Sequence, residues 1–110
     1  MSLMIKSLEN FASEIKKLSK RYKKISDDLK CLKKELEVNP KSGISLGGSC
    51  YKIRVPNSSV LTGKSGGFRV IYYFLSSDNV IYLMSIYSKS DMKSIDELKL
   101  QQILKENGLA

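Results

Sequence analysis

Apolar residues return along the first third of the chain at alternating steps of three and four: Leu8, Phe11, Ile15, Leu18, Tyr22, Ile25, Leu29, Leu32 and Leu36. That spacing predicts an amphipathic helix with one apolar stripe, and the positions between are mostly Lys, Glu, Asp and Ser. A single helix over 8–36 would run about 43 Å at about 1.5 Å per residue, and its stripe would need a partner, as in a coiled-coil seam. We read a break near Lys23 to Ile25 instead. Ser26 offers a capping hydroxyl there, and Asp27 and Asp28 suit the positive end of a new helix. Two antiparallel helices result, and Asn39-Pro40 closes the second. Ahead of them Met4-Ile5 reads as a short edge strand, and Met1-Ser2-Leu3 as a vector-derived leader outside the fold.

From Tyr51 the pattern becomes one of strands. YKIRV (Tyr51 to Val55), GFRVIYYFL (Gly67 to Leu75) and VIYLMSIY (Val80 to Tyr87) are rich in β-branched and aromatic residues. Lys41 to Ser49, with three glycines, reads as a loop. Pro56 stops the first strand, and Asn57 to Gly66 is a polar connection longer than a tight hairpin. Ser76 to Asn79 is a short antiparallel turn. Ser94 then caps a final helix, with Asp96 and Glu97 in its first turn and Ile95, Leu98, Gln102 and Ile103 facing inward. The elements predict one α+β domain over residues 1–110, with the helices packed on one face of a small antiparallel sheet.

Charge sharpens this picture. The 110 residues carry 19 Lys and Arg against 11 Asp and Glu, a net charge of +8. Such an excess favours an anionic partner, whether nucleic acid, an acidic protein or a membrane surface. In the helical part the charges are mixed and read as a solvated face. Between Glu37 and Asp78, however, stand Lys41, Lys52, Arg54, Lys64 and Arg69 with no carboxylate among them. Lys52 and Arg54 are two apart on one strand and so share a face. Arg69 opens the next strand and Lys89 follows the last, so one sheet would gather four cations near one rim.

The remaining composition mainly excludes. Cys31 and Cys50 have no metal or redox spacing, and there is no histidine to complete a zinc set or a catalytic triad. Two lone thiols suit a reducing cytosol, hence a cytoplasmic protein, and no apolar run has the length of a membrane span. Thr62-Gly63-Lys64-Ser65 resembles the end of a P-loop, but Ser58 stands where the leading glycine belongs and a strand follows where a helix is needed. Lys, Arg and Tyr remain. RNA brings its own 2′-hydroxyl nucleophile, so such a set need only position it, neutralise charge on the phosphate and move protons. Arginine binds phosphate with a planar fork, and a lysine crowded by cations can act as a base. The same residues also read as a solvated rim. Tyr72, Tyr73, Tyr82 and Tyr87 read first as core-packing strand formers, and second as stacking platforms. Cys31 reads as a small packed hydrophobe.

NPKSG, then YKIRV, GKSGGFRVIYYF and IYLMSIYSKSD, in that order and spacing over Asn39 to Asp91, resemble the RelE/ParE superfamily of bacterial toxins, most closely its HigB-like branch. The resemblance implies an N-terminal helical hairpin on a twisted antiparallel sheet with a C-terminal helix. It implies a toxin of a type II toxin-antitoxin system, a ribosome-dependent endoribonuclease that cuts mRNA in the ribosomal A site without a metal or other cofactor. A cognate antitoxin, the ribosome and mRNA are the implied partners, and a membrane is not among them. Carried over, the active site is Lys52, Arg54, Arg69 and Lys89. Lys52 or Arg54 would serve the base and the 2′-oxygen, Arg69 the phosphate, and Lys89 the leaving group or phosphate. Lys64 becomes a candidate ribosomal RNA contact, and Tyr87 a residue that orients substrate. Two departures stand out: Ile95 occupies the place where some members have a tyrosine that supports base activation, and Lys89 replaces an arginine.

Two other readings stay open. A ParE-like toxin would inhibit DNA gyrase without nuclease activity, and a basic RNA-binding module would need no catalysis. The four-cation set favours the nuclease, because a gyrase binder has no evident use for it.

Overall fold

The computed structural model describes residues 3–60 and 67–109. The stripe of the first third folds as two helices, α1 (Glu9–Arg21) and α2 (Ile25–Val38), broken where expected. Extended backbone at Tyr22 ends α1. The start of α2 differs from the reading above: Lys24 is the cap residue and makes no side-chain cap, so Ser26 sits inside the first turn. Asp28, also in that turn, reaches out to Ser58 instead, accepting from its backbone N–H at 3.1 Å and its Oγ at 2.7 Å.

The three long strands and the edge strand at Met4-Ile5 are present, and one strand more. β1 (Met4–Ser7), β2 (Ile44–Gly47), β3 (Cys50–Val55), β4 (Phe68–Leu75) and β5 (Val80–Ser88) form one sheet in the order β1-β5-β4-β3-β2. Strands β2 to β5 pair antiparallel as expected, whereas β1 joins β5 in parallel and makes the sheet mixed. β2 lies inside the segment read as a loop. All four of its residues are exposed, so it has no buried face, and it is only four residues long. The turn into β3 puts Gly47, Gly48 and Ser49 at positive φ, the conformation glycine supplies at no steric cost. Leu3, read as part of a leader, packs against the core, and Met1 and Ser2 lie outside the described residues.

Strand alternation divides the sheet into two faces. Ile53, Val70, Tyr72, Leu83 and Ile86 pack with Phe11, Ile25, Leu32 and Leu36 of the helical hairpin. Cys50, Ile71 and Met84 form a second cluster with Leu100, Ile103 and Leu104 of α3 (Glu97–Glu106). The helices therefore do not share one face, since α3 covers the side opposite α1 and α2. Its cap is Asp96, not Ser94, and the Asp96 side chain accepts from the Leu98 N–H at 3.1 Å. That later start moves the inner stripe to Leu100, Ile103 and Leu104, leaving Leu98 77% exposed and Gln102 in solvent. Cys31 is exposed, contrary to its reading as packed, while Cys50 is buried.

One register break positions the site. β4 and β5 pair Tyr72 with Leu83 but Ile71 with Ser85, so Met84 is an extra residue, a β-bulge. Ile81 and Leu83 face the helical hairpin before it and Ile86 does so after it, which brings Tyr87 opposite Arg69. α1 pins this bulge. Asn10 Nδ2 donates to the Met84 carbonyl at 3.0 Å. Glu14 Oε1 accepts from the Ile86 N–H at 3.1 Å and from Ser85 Oγ at 2.9 Å.

Candidate active site

The site is built on the middle of the sheet. Ile53 and Val55 anchor β3 in the hairpin core, so Lys52 and Arg54 point to the other face, as the spacing predicts. The register places Arg54 directly opposite Arg69 and Lys52 opposite Ile71. On the other flank of β4, Tyr87 stands opposite Arg69. Lys89 follows β5 by one residue, and its backbone N–H donates to the Gly67 carbonyl at 3.1 Å. The β4–β5 pairing thus carries on past the strand and keeps Lys89 at the Arg69 end of the sheet. The register thus sets Lys52, Arg54, Arg69 and Tyr87 on neighbouring strands, with Lys89 just past them at the Arg69 end. Lys64 lies outside the described residues.

The electrostatics of this group are unusual. Like charges directly opposite each other on one face destabilise a sheet. Arg54 is exposed, but Arg69 is buried at 6% exposure, and its guanidinium donates to the carbonyl of its own neighbour Phe68 at 3.2 Å. Burial, and then the charge of Arg54, push the Arg69 pKa below its ordinary value, while Tyr87 pulls the other way. Among the described residues the ion pairs are Arg21 with Asp91 and Lys99 with Glu14, so no carboxylate within 4.0 Å compensates Lys52, Arg54, Arg69 or Lys89. Tyr87 is 5% exposed, and its hydroxyl is buried with no hydrogen-bond partner among the described residues.

A cavity of about 270 Å³ opens beside this group, between the sheet and α3, and is lined by Lys52, Ile71, Tyr87, Ile95, Leu100 and Gln101. Most of its wall is apolar, with Lys52, Tyr87 and Glu97 among its polar groups, so it suits the flat face of an aromatic ring with polar edges. The other tyrosines serve the fold. Tyr72 is fully buried, donates to the Pro40 carbonyl at 2.8 Å and accepts from the Gly43 N–H at 3.0 Å. Tyr73 and Tyr82 pack at the margin of the α3 cluster. Among the described residues no group of three or more His, Cys, Asp or Glu side chains is placed to hold a metal ion, and no helix is long and apolar enough to cross a membrane.

Sequence reasoning missed Glu14 and Arg21. Both lie in the helical run whose charges read as solvated, and nothing in the local pattern tells a carboxylate that braces β5 from one that faces water.

Comparison with known proteins agrees with this fold. The chain is similar to a solved mutant of the E. coli toxin RelE in the free state, with a TM-score of 0.60 and 21% identity, over 84% of this chain and 90% of that one. At that identity the likeness speaks for the fold, which is RelE-like. A sequence model described as the RelE toxin of the RelE / RelB toxin-antitoxin system matches residues 11–108. With that match running from α1 through α3, the chain belongs to the RelE toxin family.

Proposed function

We propose that this chain is a ribosome-dependent endoribonuclease that cuts mRNA in the ribosomal A site and is neutralised by a cognate antitoxin. The observation that carries the reading is the Arg54–Arg69 pair: two guanidiniums opposed on one sheet face, one of them buried, with no acid to compensate them. Such a pair costs the free protein stability and becomes favourable when a phosphate lies between the two forks. Lys52 takes the proton of the 2′-hydroxyl, and Arg54 beside it steadies the 2′-oxygen. The 2′-oxygen attacks the adjacent phosphorus while Arg69 neutralises charge on the phosphate oxygens. The bond to the 5′-oxygen breaks, and Lys89 supplies a proton or a positive charge to that leaving oxygen. Tyr87 orients the substrate through its hydroxyl. In this reading Lys64 contacts ribosomal RNA, and the likeness of the strand motifs favours the HigB-like branch.

The test is cell-free bacterial translation with added protein, followed by primer extension on the message with and without ribosomes. Cuts confined to translated message support the proposal, and Arg69→Ala should abolish them with the fold kept. Intact message with falling gyrase activity would overturn it in favour of a ParE-like inhibitor.

A further inference from the structure

Asp91 lies two residues past Lys89 and is the acidic side chain closest in sequence to the cation set. It is already engaged. Arg21, the last residue of α1, places Nη1 2.9 Å from Asp91 Oδ1, and its guanidinium lies 5.1 Å above the ring of buried Tyr22. The turn that carries Asp91 does not depend on this contact for its shape. The Asp91 and Met92 N–H groups both donate to the Ser88 carbonyl, at 3.0 and 3.1 Å, the Lys89 N–H is held by Gly67, and the Ser88 and Ser90 hydroxyls bond at 2.8 Å. The ion pair itself is open to water, with side chains 63% and 43% exposed, and such pairs add little to folding. Its effect is on charge. An unmasked carboxylate two residues from Lys89 would lower the positive potential that an RNA phosphate meets.

We propose that Arg21 serves RNA cleavage through Asp91: it is a positioning residue that holds that carboxylate paired, so that Lys89 and the neighbouring arginines stay available to phosphate. The inference rests on the nuclease reading above. It predicts an epistasis that neither a mechanical tie nor a direct RNA contact by Arg21 would give. Removing Arg21 uncovers a negative charge, and removing Asp91 as well takes that charge away again.

The experiment compares Arg21→Gln, Asp91→Asn and the double variant with the unaltered protein. Two readouts are used: cleavage of translated mRNA, and binding of a single-stranded RNA oligonucleotide made uncleavable by 2′-O-methylation. Arg21→Gln should lower kcat/KM and oligonucleotide affinity about three- to tenfold at low ionic strength, with the deficit shrinking as salt rises. Asp91→Asn should be no weaker than the unaltered protein, and the double variant should match it. Lys33→Gln, which removes a charge on α2, should change neither readout. A double variant as weak as Arg21→Gln, an Asp91→Asn loss equal to that of Arg21→Gln, an equal loss in Lys33→Gln, or an Arg21→Gln protein that is fully active or unfolded would each overturn the proposal. Lys89→Ala separates the two levels. If it cleaves normally, the site assignment fails; if it is impaired while Arg21→Gln is not, only the masking role of Arg21 fails.

Discussion

Arg69 and Tyr87 stand opposite each other across β4 and β5, and each buries a polar end that the protein itself hardly satisfies. Unmet hydrogen-bonding capacity of this kind costs a folded protein about 1–3 kcal/mol per group. Substrate binding would recover it, so stability and activity should move in opposite directions here.

Arg69→Met is the first test. It removes a buried charge facing Arg54 and keeps an apolar body of similar length. Replacing a poorly compensated buried charge by a hydrophobe is neutral or stabilising, by about 1 kcal/mol here, whereas losing a transition-state donor costs about 100-fold or more in rate. We expect an equal or higher thermal midpoint together with loss of cleavage. A clear fall in the midpoint would mean that Arg69 is chiefly a structural residue.

Tyr87→Phe deletes only the buried hydroxyl. The free protein should be as stable or gain about 1 kcal/mol in chemical denaturation, because no hydrogen bond is lost. Cleavage should fall by about tenfold if the hydroxyl meets the substrate. Unchanged kinetics would confine Tyr87 to packing.

Glu14→Ala addresses the bulge. The carboxylate accepts from the Ile86 N–H and the Ser85 hydroxyl, so its removal leaves buried donors unpaired beside an irregular stretch of β5. A loss of about 1–3 kcal/mol is expected, along with reduced cleavage from a looser Tyr87 and Lys89. Glu14→Gln keeps one acceptor oxygen and should recover most of both. Equal damage from the two substitutions would instead point to the ion pair with Lys99 as the important contact.

The buried weak acids set an alkaline limit. Burial raises the Cys50 thiol above its ordinary 9.0. It also raises the Tyr72 and Tyr87 phenols above 10.0, against opposing effects of the Gly43 hydrogen bond and the Arg69 charge respectively. Each group binds its proton more tightly in the folded chain. Its contribution is therefore complete below the unfolded pKa and is lost as pH rises toward the folded one. Denaturation midpoints should hold steady from about pH 7 to about pH 8.5 and decline from about pH 9 upward. Cys50→Ala should remove the earliest part of that decline. A flat profile to about pH 11 would contradict the burial argument.

Much of this was legible in the sequence because it rested on periodicity and spacing. The three-and-four repeat exposed the helical hairpin, and the Lys52–Arg54 interval put both cations on one face once Ile53 and Val55 were assigned to the core. What escaped depended on partners remote in sequence. β2 is four residues long among three glycines with both faces exposed, and it exists by pairing with β3. The parallel entry of β1 depends on β5, more than 70 residues away. Ser94 and Asp96 are both good caps for α3, and only the contacts of Leu100 and Leu104 decide for Asp96.

The Met84 bulge makes the site depend on a count. Before it the hairpin-facing residues of β5 have odd numbers, Ile81 and Leu83, and after it an even one, Ile86. Ironing out the bulge with every residue kept would pair Met84 with Ile71 and turn each later side chain over, sending Tyr87 into the hairpin core and Ile86 toward the arginines. Deleting Met84 would instead leave the later pairs and faces as they are. The site therefore depends on the extra residue staying outside the pairing, and loss of the Asn10 and Glu14 contacts that hold it there should silence the protein where exchange of Met84 for another apolar side chain does not.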